Sequence, residues 1–424
     1  MTPCVPCIAT AILLFVGSVQ AQDFLPPAEH AHAAIAAHAQ VQAAQARVSE
    51  ARENARALAA GPHDTTLSIA PLRRTVRDAP TVDGRARYSE WDAQLTRAIR
   101  LPGKAALDRE NGAHGLAAAE LLHGDAEHQT ALALLDDWLG WLRADASAKA
   151  AQARRDSLQG ELRSLKRRVE LGDAAQRELE QISAEAAVTE AEARQAQAEL
   201  DASRLRLGAD FAQIPLPDRA PLLPAPKALD AEPQVWIDRI IERSHEIRAA
   251  EELAAQQDSI AQRANADRLP DPSIGIQTFS ERGGMERGIG VVLEIPFGGT
   301  RRSAQARAAA ASADALRAQA QGMQREIARD ARLRVAQVQS TLAVWQAAQQ
   351  AREAHARSLA RQKRAYELGE IDLAQRMQAE RLDAGATLDE LRKRADAHEA
   401  YLRMLIDSHE LWHERDDTEG HAQH

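Results

Sequence analysis

The residues with the most chemistry in them lie near the end of the chain. His409-Glu410-Leu411-Trp412-His413 matches H-E-x-x-H. On a helix, that spacing puts two histidines on one face to hold zinc, and the glutamate can act as base. A catalytic zinc also needs a third protein ligand and a pocket. Only eleven residues follow His413, and His421 and His424 among them have the wrong spacing for the longer motif. The match is therefore read as a coincidence near a helix end. No metal, cofactor or catalytic residue is assigned, and a zinc protease stands only as an alternative. His30, His32, His38, His114, His123 and His128 are scattered through helical stretches. Imidazole suits zinc, cobalt and nickel, but no cluster repeats at ligand spacing, so these read as solvated helix positions. No Gly-rich phosphate loop, Ser/His/Asp order or paired-carboxylate motif stands out.

Composition points to an extended helical protein. Ala, Gln, Glu, Arg and Leu dominate the 424 residues and aromatics are only 3%, a profile of long helices rather than compact sheet cores. A net charge of −9, without a clustered basic tract, excludes a broadly basic nucleic-acid binder.

Against that helical background, Leu269–Gly299 reads as two strands, near 273–279 and 287–297, joined by a Gly-rich turn. Ile289, Val291, Leu293, Ile295 and Phe297 alternate with Gly288, Gly290, Val292, Glu294 and Pro296. A period of two with one apolar set marks a strand whose faces meet different surroundings. The first set is expected to face lipid and Glu294 to face a lumen. The strands approach the roughly 9–11 residues that a tilted strand needs to cross a bilayer. An open sheet edge cannot persist in lipid, so the hairpin needs partners.

The rest of the chain supplies them by repetition. Residues 22–213 read as a helix stopped by Gly61-Pro62, strands near 65–72 and 88–101, a long helix from Lys104, a break at Glu170-Leu171-Gly172-Asp173 and a return helix. Arg97 interrupts the apolar face of the second of these strands. In the long helix Leu158, Leu162, Leu165 and Val169 are heptad-like. Residues 214–231 are a Pro-rich linker. Residues 232–413 then repeat the order: helix, two strands, a helix from Thr300, a break at Glu367-Leu368-Gly369-Glu370 and a return helix. The break follows Gly103 by 69 residues at Gly172 and Gly299 by 70 at Gly369, which identifies an internal duplication. Trp138, Trp141 and Trp345 are expected to pack between helices, and residues 414–424 form a polar tail.

At the N-terminus, Ile8–Gly17 is a short apolar core followed by Val19-Gln20-Ala21. Residues 1–21 resemble a secretory signal peptide, although no Lys or Arg precedes the apolar core. Cys4 and Cys7 fall before the expected cut, so the mature chain would hold no thiol.

The ordered set of Pro270-Asp271-Pro272, Ile295-Pro296-Phe297-Gly298-Gly299 with Arg301-Arg302, and Tyr366-Glu367-Leu368-Gly369 resembles the TolC family of outer-membrane efflux proteins. The first repeat offers Leu101-Pro102-Gly103-Lys104 and Val169-Glu170-Leu171-Gly172. The resemblance implies a mainly α fold with a β-barrel portion: a homotrimer whose copies each give four strands to a twelve-stranded barrel set in outer-membrane lipid. A helical tunnel would extend into the periplasm. It implies a passive exit duct of a tripartite system, docking to a periplasmic adaptor (membrane fusion protein) and an inner-membrane RND-type pump. Leu171, Gly172, Tyr366, Leu368 and Gly369 then look like adaptor-docking tips. Glu178, Gln181, Gln375 and Gln378 match aperture positions, although the glutamines depart from the acidic ring of TolC itself. Length and a compact first strand pair look most like the heavy-metal, cobalt-zinc-cadmium-type branch, which implies metal cations as cargo. The alternative from the residues alone is a periplasmic coiled-coil structural or adaptor protein.

Overall fold

The computed structural model describes residues 24–77, 80–82 and 85–413. The signal-peptide expectation and the polar tail fall outside the described residues. The order of elements duplicates. In the first repeat come α1 (Ala28–Ala37), α2 (Ala39–Ala60), β1 (Thr65–Arg77), β2 (Arg85–Ala98), α3 (Lys104–Glu170) and α4 (Gln176–Asp210). In the second come α5 (Pro233–Arg243), α6 (His245–Ala266), β3 (Ser273–Glu281), β4 (Glu286–Glu294), α7 (Thr300–Glu367) and α8 (Leu373–Asp407), with a single 3-10 turn, Arg282–Gly284, between β3 and β4.

The matched lengths are close: 67 and 68 residues for α3 and α7, and 35 each for α4 and α8. A 67-residue helix spans ~100 Å at ~1.5 Å per residue. Nothing in α3 or α7 forbids that length, because neither contains proline. Each repeat opens with two helices where the sequence suggests one. Ser244 breaks the second pair by accepting a hydrogen bond from the Ile247 amide. His38 breaks the first by accepting one from the Gln40 amide. Both are side-chain caps that stop one helix and start the next.

The helices pack as a sheaf in which α3 touches α2, α4, α6 and α8, and α7 touches α5, α6 and α8. The main core gathers where the ends of α4 and α8 and the short helix α5 meet the middles of α3 and α7, around Leu134, Leu135, Trp138, Trp141, Leu207, Phe211, Trp236, Val335, Leu402 and Met404. Trp138 and Trp141 pack edge-on, and the Trp138 indole donates to the Phe24 carbonyl at 2.8 Å. Trp345 donates to Glu390 at 2.7 Å, which Arg394 also holds. The Pro-rich linker is fastened across this core, its Leu223 carbonyl to Arg394 and its Pro224 carbonyl to His398.

The four strands form one antiparallel sheet in the order β1-β2-β3-β4, so the two hairpins join through β2 and β3. β1 runs 13 residues, Thr65–Arg77, longer than the 65–72 stretch expected from the sequence, and β2 runs 14, Arg85–Ala98, three residues earlier than the expected 88–101. Beyond Leu72, Arg74 pairs with Glu90 at 2.7 Å and lies 3.7 Å from Glu281, which extends the ladder. β4, conversely, stops at Glu294, before Pro296, which has no amide to give a ladder. Ile295 and Phe297 are exposed, but they lie beyond the strand, so of the expected lipid-facing set only Ile289, Val291 and Leu293 belong to it.

Candidate functional site

Three places in this frame are candidates for function: the outward face of the sheet, the seam where sheet meets helices, and the far tips. A fourth, a cluster of histidines, sits at the end of α8.

On the sheet, register aligns apolar residues across all four strands. Leu67, Leu95, Ile276 and Val291 form one row, and Ile69, Ala93, Thr278 and Ile289 the next. All four members of the first row are exposed, from 41% at Leu95 to 75% at Val291, so this face is unoccupied by the chain's own core. The opposite face carries Ser68, Gln94, Gln277 and Gly290, with Gln277 donating to Asp92 at 2.6 Å. Tyr88 and Phe279 share this polar face, and Trp91 lies on the apolar one. Arg97 lies on the apolar face but pairs with Thr65, the first residue of β1, which puts it on the rim. Its guanidinium can therefore reach past the edge of that face. Among the described residues β1 and β4 have no partner on their outer edges. No helix is long and apolar enough to cross a membrane among the described residues.

At the seam, Pro270-Asp271-Pro272 ties the two repeats together. Asp271 accepts from Lys104 Nζ at 2.8 Å, from the Leu101 amide at 3.0 Å and bonds His63 at 2.8 Å. Lys104, 1% exposed, also reaches the Leu269 carbonyl at 2.7 Å and Asp267 at 2.9 Å. Burial alone would raise the Asp271 carboxyl. The bonds from Lys104, His63 and Leu101 outweigh it and hold the group down at about 2. Asp108 binds Arg100 at 2.9 Å and Arg263 at 2.8 Å in the same layer.

At the far end the two breaks are twins. The Gly172 amide donates to Val169 and the Asp173 amide to Arg168; the Gly369 amide donates to Tyr366 and the Glu370 amide to Ala365. Gly172 and Gly369 have φ of 80° and 76°, which glycine reaches without a Cβ clash. The structure brings the two tips together around a cleft of about 920 Å³, lined by Glu178, Arg168, Lys363, Tyr366, Leu368, Gly369 and Arg376 among others. Leu165, Ile182, Leu373 and Met377 form a small apolar cluster behind it. Leu171 and Leu368 project, 61% and 57% exposed. Glu178 is half-buried, whereas Gln181, Gln375 and Gln378 are exposed. Gln378 accepts from Arg381 at 2.7 Å, and the Gln375 amide is capped by Asp372.

The H-E-x-x-H stretch departs from its sequence reading. α8 ends at Asp407, so the motif is not helical. His409 and Trp412 have φ of 57° and 53°, and this tight turn stacks His413 on His409 with ring centroids 3.9 Å apart. A third histidine is at hand after all. His245, the first residue of α6, stacks on His409 at 4.8 Å and lies 5.4 Å from His413. Glu410 turns away to Arg243 at 2.9 Å and Arg239 at 3.6 Å, so it is not placed as a base. Burial first, then repulsion from the neighbouring imidazoles and from Arg248 and Arg243, lowers His245 to about 4 and His409 to about 2. Burial also works to lower His128, but hydrogen bonding and charge from Asp407, with Glu246 and Asp125, raise it. Sequence spacing could not reveal His245, which lies 164 residues from His409.

No family model matches the chain, and no curated protein matches it. Solved structures do. The Campylobacter jejuni CmeC outer membrane channel is 14% identical, with a TM-score of 0.77 over 99% of this chain and 96% of that one. The outer membrane protein VceC of Vibrio cholerae is 20% identical, with a TM-score of 0.72 over 90% and 95%. The open state of the Neisseria gonorrhoeae MtrE outer membrane channel is 16% identical, with a TM-score of 0.71 over 92% and 90%. The fold is that of the TolC-type outer-membrane channels, and it is mainly helical.

Proposed function

We propose that the chain is the outer-membrane exit duct of a tripartite efflux system. One observation carries this reading: a four-stranded sheet with a continuous exposed apolar row and two open edges, mounted at one end of helices ~100 Å long. Open edges beside lipid are unstable, and three copies of four strands would remove them by closing a twelve-stranded barrel. The duct is passive: the polar sheet face lines a lumen, and an adaptor and an RND-type inner-membrane pump supply docking and energy. The paired tips, with Leu171, Gly172, Tyr366, Leu368 and Gly369, meet the adaptor, and Glu178, Gln181, Gln375 and Gln378 stand near the aperture. Metal cations are the cargo class we favour. The length of the chain supports that choice, and β1, longer than the strand read from the sequence, supports it less.

Cysteine placed on β1 at Leu67 or Ile69 and on β4 at Val291 or Ile289 should cross-link neighbouring copies into a trimer in the outer-membrane fraction. Recovery as a soluble periplasmic monomer would sink the duct reading. Loss of the gene should sensitise cells to cobalt, zinc or cadmium; sensitivity confined to organic compounds would transfer the cargo to that class.

A further inference from the structure

The described residues hold one group of three histidines with the geometry of a metal centre, and the duct function does not use it. His245 comes from the start of α6, and His409 and His413 come from the turn after α8. One nitrogen from each lies within 4.8 Å of the other two. Ligands on a tetrahedral ion at ~2.0–2.1 Å stand roughly 3.3 Å apart, so closing onto an ion asks for shifts of little more than an ångström.

Two further observations point to a ligand here. His245 is 8% exposed, and its Nε2 is buried with no hydrogen-bond partner. A buried polar nitrogen left unpaired costs on the order of 1–3 kcal/mol, which a bond to a metal would remove. The space for the ring is made by Gly124 of α3, where a Cβ would sit 2.9 Å from that nitrogen. The second observation is the backbone. His409 and Trp412 are two of three non-glycine residues at positive φ among those described, and their turn is what folds His413 back over His409. Such conformations cost of order 1–3 kcal/mol each and persist where surroundings enforce them.

We propose that His245, His409 and His413 form a binding site for one borderline-soft divalent metal ion, of the zinc, cobalt or nickel class, which ties the end of α8 to the start of α6. Three imidazoles suit that class over magnesium or calcium, which take oxygen ligands. The fourth position belongs to water. His128, whose ring lies 5.9 Å from His409, is drawn to Asp407 at 3.4 Å and stands outside the set. Charges around the cluster are mixed: Glu246, Asp125 and Asp407 favour a cation there, and Arg243 and Arg248 oppose it. The site is a brace and not a hydrolytic centre, because Glu410 is committed to Arg239 and Arg243.

The test is equilibrium dialysis of the full-length, untagged protein in detergent against zinc and against cobalt. One ion per chain is expected, and the cobalt form should show the intense visible absorption of a four-coordinate ion. His245→Gln, His409→Gln and His413→Gln should each weaken binding by more than the roughly 10–100-fold that losing an outer-shell partner costs. His421→Gln with His424→Gln should leave it unchanged. Wild-type protein that binds no stoichiometric ion overturns the proposal, whatever the variants do. So does binding that survives His245→Gln or vanishes with the two tail substitutions. The measurement is independent of export, so its failure leaves the duct reading untouched.

Discussion

Asp271→Asn should loosen the seam between sheet and helices, and by an amount the structure sets. The carboxylate sits 7% exposed among Lys104, His63 and the Leu101 amide. Holding it at about 2 instead of 3.8 corresponds to on the order of 2 kcal/mol at neutral pH. Removing one partner of a buried ion pair can cost roughly 3–5 kcal/mol. Here Asp267 still faces the Lys104 ammonium at 2.9 Å, so the lower figure is the better guide. The local readout is hydrogen exchange of the Leu101 amide, which donates to Asp271. A loss of about 2 kcal/mol should speed its opening roughly 30-fold at pH 7. The sign of the pH effect follows from the depressed value. Asp271 contributes its full stabilisation above the ordinary carboxylate range and loses it as pH falls from about 4 towards about 2. In denaturant unfolding followed by circular dichroism, the gap between wild type and Asp271→Asn should therefore shrink over that interval. A variant indistinguishable from wild type at pH 7, or a gap that stays constant down to pH 2, would refute the account of the seam.

Two other perturbations probe the ends of the molecule. Gly172→Trp and Gly369→Trp place a bulky side chain where nothing stands within 4 Å but at a φ near +80° that strains it, so each should cost roughly 1–3 kcal/mol locally at the tip, leave the trimer assembled and lose export. Export that persists in both, with trimer present, would remove the tips from docking. In the sheet, a Cβ on Gly288 would lie 2.4 Å from the Phe279 ring, so Gly288→Val should reduce the heat-resistant assembled species on gels. Phe279→Ala in the same chain should restore it, and failure to do so would mean that the ring does not rest on that glycine.

The parts of this fold legible in the sequence are those fixed by local chemistry. Gly172 and Gly369 end their helices because the backbone there must turn left-handed, and nothing distant is needed to see it. The alternation from Ile289 to Leu293 is likewise local. The reading failed where a partner decided the outcome. The loose alternation of the first strand was followed only to residue 72, whereas Glu90, sixteen residues past Arg74, receives that arginine in the ladder and carries β1 on to Arg77. Pro296 should have ended β4, but the apolar residues on either side of it, Ile295 and Phe297, carried the alternation past its physical limit. The breaks at His38 and Ser244 are single side-chain caps inside Ala-rich stretches, too small a signal against strong helix propensity. His245 was invisible for a different reason. Three ligands in a metal site answer to space and not to spacing, and only the return of α8 past α6 brings them together.

That return also explains why the cluster occurs once among the described residues of a duplicated chain. In each repeat the second short helix begins beside the end of the return helix, and an imidazole marks the meeting. In the first repeat His38, which caps α2, stacks at 5.6 Å on Phe211, which caps α4. In the second repeat His245 stacks at 4.8 Å on His409 just past the end of α8. The contact is the same piece of architecture with different chemistry. A histidine on a phenylalanine can only pack, whereas a histidine on a histidine, with a third folded over it by two left-handed residues, can hold an ion. Duplication supplied the juxtaposition, and substitution at one copy of it made a centre that the other copy lacks. The single site per chain, tied to the second repeat alone, follows from that asymmetry. If the first-repeat pair were converted by Phe211→His, the two imidazoles of that pair would still lack the third ligand that the His409–His413 turn provides.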